Sequence, residues 1–283
     1  MTKGYRGDTH RDSGIRATDG QWNSSTTLYI ARRLHDLAQG RRLSVLDMGC
    51  GDGTVIEHLL DYGYDLYGYD LAGVSGSLRD RVAAYADASG NDRIRTAPDD
   101  RSIPFEDDSF DVIYANQVFE HVRFIDRMFG ECARVLRPDG VLLATFPLAT
   151  SPVEAHIGIP WAHWIPPGRC RIRYLSLFYA LRLRPRLAHC TAEQTAHRQD
   201  RYLSECTYYR FMNEIVSLAD YYFDSCRNET DLLIRAKADL LNADRTTARR
   251  WLGAMVRSLE GSPLTFLVTH LIDAAFCMTN PHK

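Results

Sequence analysis

Along the first half of the chain, short apolar runs alternate with stretches whose apolar residues recur at helical spacing. Leu28, Ile30, Leu34 and Leu37 mark one face of a helix predicted from Ser24 or Ser25 to about Gln39, with a serine to cap it and Gly40 to stop it. Predicted strands follow at Leu43–Leu46, Asp65–Asp70, Arg93–Thr96, Phe110–Ala115 and Val141–Phe146. Between them lie predicted helices over Val55–Tyr62, 76–89 and Val122–Leu136, and a turn at Pro138-Asp139-Gly140. Strands that alternate with helices imply a parallel, doubly wound α/β sheet. After Pro147 the pattern changes: 150–170 is rich in Pro and Trp and reads as irregular. From 171 onward the chain is mostly helical, with strands expected near Tyr221–Cys226 and within Ala274–Thr279.

The strongest motif is Val45-Leu46-Asp47-Met48-Gly49-Cys50-Gly51-Asp52-Gly53, which closes a strand and opens a helix. Glycines there let the backbone turn sharply and let a ligand approach. A dinucleotide loop must cradle a pyrophosphate, and carboxylates work against that. Here Asp47 and Asp52 flank the loop and Thr54 stands where a third small residue belongs. Carboxylates suit a cationic ligand instead. Asp70, at the end of the next strand, is placed to accept hydrogen bonds from both hydroxyls of a ribose.

Composition narrows the picture little. The formal net charge of −2 gives no global field toward nucleic acid, so a nucleic-acid partner is not expected. None of the seven cysteines forms a C-x-x-C pair, which suits a reducing, cytoplasmic setting. His189, Cys190, His197 and Cys206 match no zinc spacing, and no metal is expected. The N-terminal stretch MTKGYRGDTHRDSG reads as lacking an apolar signal core, and Leu264–Met278 is too short to span a bilayer.

Four ordered pieces, VLDMGCGDG, YGYD, PDDRSIPFEDDSFDVIYANQVFEHV and RVLRPDGVLLATFP, make residues 43–147 resemble the class I S-adenosylmethionine (SAM)-dependent methyltransferases. The resemblance is to the type 11 group that includes ubiquinone-pathway enzymes. It implies a Rossmann-like, mostly parallel sheet with a helical substrate-binding cap in the C-terminal half. The expected organisation is an arm and helix over 1–42, a SAM-binding core over 43–149, and a lid, cap and final strands over 150–283. By position the family roles fall on Gly49 and Gly51 for the methionine part, supported by Asp47. Asp70 would hold the ribose and Leu71 pack on the adenine. Asp99, or Asp100 beside it, would meet the adenine amino group, and Asn116 and Gln117 face the transferred methyl. Glu120-His121 matches a family pair that either braces the helix or takes part in catalysis.

Substrate chemistry is read from the segment after the fifth strand. Glu154, His156, Trp161, His163 and Trp164 lie at the carboxyl edge of the sheet, above the cofactor. Methylating a hydroxyl requires removal of its proton, and imidazole suits that near neutral pH. His156, His163 and His121 are the candidate bases; the alternative is a Pro-stiffened lid with packed Trp and hydrogen-bonded His. The segment also looks like a bacterial subset that modifies sugars and surface polysaccharides. The expected function is therefore O-methylation of a small molecule or glycan precursor. The alternatives are N- or C-methylation of a natural product, or a SAM-binding subunit without catalysis. Arg169, Arg171, Arg173, Arg182, Arg184 and Arg186 bracket an aromatic-rich helix. They are candidates for an anionic phosphate or for peripheral contact with the inner membrane surface, against the alternative of a solvated face.

Overall fold

The computed structural model describes residues 15–17, 24–51, 53–71, 93–97, 99–243, 247–258 and 273–283. The expected helix over 76–89 and Asp52 lie outside these residues. Helix α1 (Ser25–Ala38) is capped as its sequence predicts: the Thr27 N–H donates to Ser24 Oγ at 3.1 Å. It ends where Gln39 and Gly40 take left-handed conformations. Strand β1 (Ser44–Met48) follows, then α2 (Thr54–Leu59), β2 (Asp65–Leu71), β3 (Ile94–Ala97) and β4 (Phe110–Asn116). Helix α3 (Ile125–Val135) leads directly into β5 (Leu136–Phe146). The expected Pro138-Asp139-Gly140 turn falls within the span of β5, as an interruption in which residues 137–140 have no partner on β4. The extra length is absorbed by a register shift against β4 between Phe110 and Val112, so the strand begins earlier than its apolar run.

The remainder adds α4 (Arg169–Ala180), α5 (Ala192–Glu205), α6 (Met212–Tyr222), β6 (Phe223–Asn228), α7 (Thr230–Ala243), α8 (Thr247–Arg257) and β7 (Ala274–Pro281). The seven strands are ordered β3-β2-β1-β4-β5-β7-β6. The pairs from β3 through β5 are parallel, and β7 inserts antiparallel between β5 and β6. The sheet is Rossmann-like and doubly wound, with its order reversing beside β1.

Period-2 alternation divides the core between the two faces. Leu46, Met48, Ile113, Ala115, Leu142, Phe146 and Phe276 pack on one side with Phe129 of α3 and Ile215 of α6. Val45, Val112, Tyr114, Leu143 and Cys277 pack on the other with Leu28 and Leu34 of α1 and Leu233 of α7. Helices α4 and α5 do not join either layer. They enclose a small cluster of their own: Ile159, Ala162, Leu175, Tyr179, Ala196 and Leu203. Among the described residues no helix is long and apolar enough to cross a membrane.

The α1–α7 face is held by a buried ion pair. Arg33 Nε lies 2.7 Å from Glu229 Oε2, which also accepts from the Tyr29 hydroxyl at 3.0 Å. Removing one partner leaves the other charge in an apolar interior. Glu229→Ala should therefore destabilise the fold by about 3–5 kcal/mol in urea unfolding. An unchanged midpoint would show that the pair carries no such burden.

Candidate active site

The carboxyl ends of β1, β2 and β4 converge on one edge of the sheet. After Met48 the chain turns through Gly49 (φ +73°), Gly51 (φ +54°) and Gly53 (φ +77°), conformations that favour glycine. The N–H groups of Gly49 and Cys50 both donate to the Tyr69 carbonyl, at 2.7 and 3.0 Å, and so pin the loop to the end of β2. The Gly51 N–H donates to Asp70 Oδ2 at 2.6 Å, and the Leu71 N–H to Asp70 Oδ1 at 2.6 Å. Each carboxylate oxygen keeps a further lone pair for a ligand. Asp47 is buried beside the Tyr114 hydroxyl, whose proton burial and the Asp47 carboxylate together hold well above its ordinary range.

A cavity of about 250 Å³ opens against this edge. Gly49, Asp70 and Leu71 line it on the loop side, Asp100 on another, and Gln117, Val118, His121 and Met128 opposite. A Cβ at Gly49 would collide with Val118, so only glycine keeps this wall in place. Gly51 does not line the cavity; its part is the N–H it gives to Asp70. A second cavity, of about 430 Å³, lies at the opposite edge by Leu43, Asp111 and Arg137. Its Arg137–Asp111 charges are already paired at 2.8 Å, and Arg41, Asp108 and Asp139 also line it.

The two neighbouring acids separate. Asp100 lines the cavity and accepts from the Arg123 N–H at 2.9 Å. Asp99 points outward, its side chain 48% exposed, and accepts from the Arg101 N–H at 3.1 Å. The segment that follows them is clamped to α3. The Ile103 N–H donates to Glu131 Oε2 at 2.9 Å, and Arg134 donates to the carbonyls of Ile103 and Phe105, both at 2.9 Å. Burial works to raise the Glu131 carboxyl, but the bonds from Arg134 and Ile103 outweigh it and hold it below its ordinary value.

At the end of β4, Asn116 Oδ1 accepts from the Thr145 hydroxyl at 2.9 Å and does not line the cavity. Gln117 (φ +59°) turns into it, and its side chain bonds to Asp273 just before β7. A short 3₁₀ turn, Phe119–His121, follows. The segment after α5 runs along this turn, its Tyr208 N–H donating to the Glu120 carbonyl at 2.6 Å.

His121 and His156 meet beyond the cavity, their Nε2 atoms 3.1 Å apart. His121 Nδ1 lies 2.6 Å from the Cys206 carbonyl, which can only accept. His156 Nδ1 lies 2.8 Å from Glu154 Oε1. The Glu154 side chain is fully buried. Burial would raise its carboxyl, but the bonds from His156, the Tyr209 hydroxyl and the Ile157 N–H outweigh that and keep it below its ordinary value. An ionised Glu154 also only accepts. Both Nδ1 atoms therefore carry the hydrogen, and both Nε2 lone pairs point at each other. Burial lowers the proton affinity of His121, opposed by its bond to the Cys206 carbonyl.

His163 stands one layer back. Its Nε2 lies 3.2 Å from the Ala149 carbonyl, its ring is 4.7 Å from that of Tyr209, and burial lowers its proton affinity. The fold thus brings His121 and His156 together and leaves His163 behind Tyr209. Tyr202, 5.5 Å from the His156 ring, and Tyr209 complete the chamber. Neither was singled out by sequence reasoning. The Tyr208-Tyr209 pair after α5 carries no periodic or motif signal, and only the fold sets it 53 residues from its partner.

The arginines around α4 do not converge. Arg171 is buried, with Nε 2.6 Å from Asp200 and Nη2 bonded to Ser204, so it locks α4 to α5 rather than meeting an anion. Arg184 donates to the Gly158 carbonyl and Arg186 to the Tyr179 carbonyl. Arg169, Arg173 and Arg182 are exposed, among the exposed apolar side chains of Leu177, Leu181 and Leu183. Of His189, Cys190, His197 and Cys206, only Cys206 touches the chamber, through its backbone carbonyl.

A family model described as a methyltransferase domain matches residues 22–217. Among curated proteins, the sterol 4-C-methyltransferase of Caenorhabditis elegans is 35% identical over 34% of this chain and 28% of its own length. A ubiquinone biosynthesis O-methyltransferase of Mesorhizobium japonicum is 30% identical over 44% of this chain and 51% of its own. The chain therefore spans about a quarter to a half of the length of these relatives. Among solved structures, an S-adenosylmethionine dependent methyltransferase from Mesorhizobium loti aligns with 84% of this chain and 91% of its own, at 15% identity and a TM-score of 0.46. The edge built here fits SAM: a carboxylate with free lone pairs, an apolar wall beside it, and a glycine turn at the strand end. The chain belongs to the class I methyltransferases and takes S-adenosylmethionine as its cofactor.

Proposed function

We propose that the chain methylates a hydroxyl of a small molecule or glycan precursor, with the His121–His156 pair as the base. The observation that carries this reading is the pair itself: two imidazoles whose Nε2 atoms are 3.1 Å apart, at the rim of the cofactor cavity. When bound, SAM supplies a methyl group made electrophilic by its sulfonium. The protein's own residues do the rest. Asp70 holds the ribose, Leu71 covers the adenine and Asp100 accepts from its amino group. Asp47 supports the loop in which Gly49 admits the methionine part while Gly51 holds Asp70, and Gln117, with Asn116 behind it, borders the methyl. Glu154 and the Cys206 carbonyl hold the Nδ1 hydrogens, so that the facing Nε2 atoms can take the acceptor proton and share it between them. Similarity to sterol C-methyltransferases favours a second reading, transfer to carbon. The product formed from SAM labelled in its methyl group separates the two by the atom that carries the label.

His156→Ala should lower kcat by roughly 10²–10⁴-fold while leaving SAM affinity nearly unchanged. A normal kcat would remove His156 as the base. His163→Ala, one layer back, should cost much less.

Asp70→Ala should abolish measurable SAM binding in calorimetry while circular dichroism shows a folded protein. Asp100→Asn should weaken binding by about tenfold or more, as the loss of a charged hydrogen bond does. Asp99→Asn should leave it nearly unchanged, because Asp99 faces solvent. The opposite order for the two acids would return the adenine contact to Asp99.

The exposed face of α4 and the turn after it, with Arg173 and Arg182 beside Leu177 and Leu181, suits an anionic lipid surface. Charge reversal at Arg173 and Arg182 should weaken binding to anionic vesicles, and the difference should shrink at high salt. Equal binding by both proteins would leave this a solvated face.

A further inference from the structure

The two Nε2 lone pairs that face each other at 3.1 Å repel unless something electron-deficient lies between them. One proton satisfies that requirement, and so does a metal ion. Two imidazole nitrogens on one tetrahedral zinc sit about 3.3 Å apart, given Zn–N bonds of about 2.0–2.1 Å, so the observed spacing already suits a shared ion.

Glu120 decides between them. It is 1% exposed, and neither of its oxygens has a hydrogen-bond partner apart from the N–H of its own residue. A buried carboxylate without donors is costly, and its surroundings make matters worse: Asp273 and Glu154 both add negative charge nearby. The ligand atoms of Glu120, His121 and His156 all lie within 4.8 Å of one another. Among the described residues, this is the one group of three metal-capable side chains so arranged. A proton shared by the histidines leaves Glu120 unpartnered; a cation among the three serves all of them.

We propose that Glu120, His121 and His156 form a binding site for a divalent transition-metal ion, with zinc the best chemical match. Two imidazoles and one carboxylate are a donor set that suits zinc and its neighbours and not magnesium, and three protein ligands leave a position open. The groups behind the ligands are those such a site needs. His121 Nδ1–H donates to the Cys206 carbonyl and His156 Nδ1–H to the Glu154 carboxylate, which fixes both rings with Nε2 toward the ion. Both histidines keep contact with solvent, the His156 side chain being 20% exposed, so an ion can enter. The spacing along the chain hid the site, because His156 is 35 residues from His121 and only the lid brings it there.

The proposal rests on the chamber around the two histidines and not on O-methylation. With the ion bound both lone pairs are taken, so the histidine-base step belongs to the metal-free form. SAM binding and methyl transfer by EDTA-treated protein test that step separately.

The test is direct binding. The full chain, stripped with EDTA and dialysed, is titrated with Zn²⁺ by calorimetry and with Co²⁺ by visible absorption. We expect one ion per chain, a Co²⁺ spectrum of low coordination number, and weak binding of Mg²⁺. His156→Ala and Glu120→Gln should each weaken Zn²⁺ binding by about 100-fold or more, and Glu154→Gln by roughly 10–100-fold. His156→Ala lies at an exposed position and keeps the test decisive if the buried Glu120→Gln variant does not fold. No Zn²⁺ binding by the unaltered chain, or equal binding by His156→Ala, would overturn the proposal.

Discussion

The acceptor side of this molecule depends on one buried carboxylate. Glu154 has no contact with water, and an ionised carboxylate in such a place must be surrounded by donors. Three groups meet that demand: the His156 ring, the Tyr209 hydroxyl and the Ile157 N–H. They come from the lid after β5 and from the segment after α5, so neutralising one charge ties two distant stretches together. The same bond sets the tautomer and direction of His156, and thereby aims its Nε2 at His121. Without Glu154 the lid would lose both its anchor and the orientation of its imidazole.

The cofactor side has a parallel logic. Asp70 is fixed by two backbone N–H groups, one from Gly51 and one from Leu71. That fixes the glycine loop to the end of β2 before any ligand arrives. On the opposite wall, Glu131 and Arg134 hold the chain that follows Asp100 against α3. One wall stands on the ends of β1 and β2 and the other is braced by α3, and such support keeps a binding site in register. The two sides meet at Gln117 and His121, which line the cavity and lead into the chamber.

The sequence disclosed the cofactor half far better than the acceptor half, for physical reasons. Alternation along β1, β4 and β5 and the glycine turn are local signals, and local signals fix strand, loop and sheet edge together. Their limits were local as well. Pro138-Asp139-Gly140 reads as a turn, and residues 137–140 do leave the pairing with β4; what the local signal could not show is that Leu136, before the turn, already pairs with Phe110 and so starts β5. Asp99 and Asp100 are adjacent and chemically alike, so only the backbone's direction separates the one that enters the cavity from the one that leaves it. The chamber depends on contacts across 35 to 85 residues, among them His121 with His156 and His121 with Cys206, and no periodicity records such pairings. The arginines near α4 illustrate the converse. Their clustering in sequence suggested a common partner, and Arg171 proved to be committed to Asp200.

The central claim is that one edge of the sheet presents SAM to the paired imidazoles. A crystal structure of the chain with S-adenosylhomocysteine tests it most directly. The account predicts the ribose hydroxyls on Asp70, the adenine between Leu71 and Asp100, and the sulfur turned toward His121 and His156. A ligand bound elsewhere, or with its sulfur directed away from the two histidines, would contradict it.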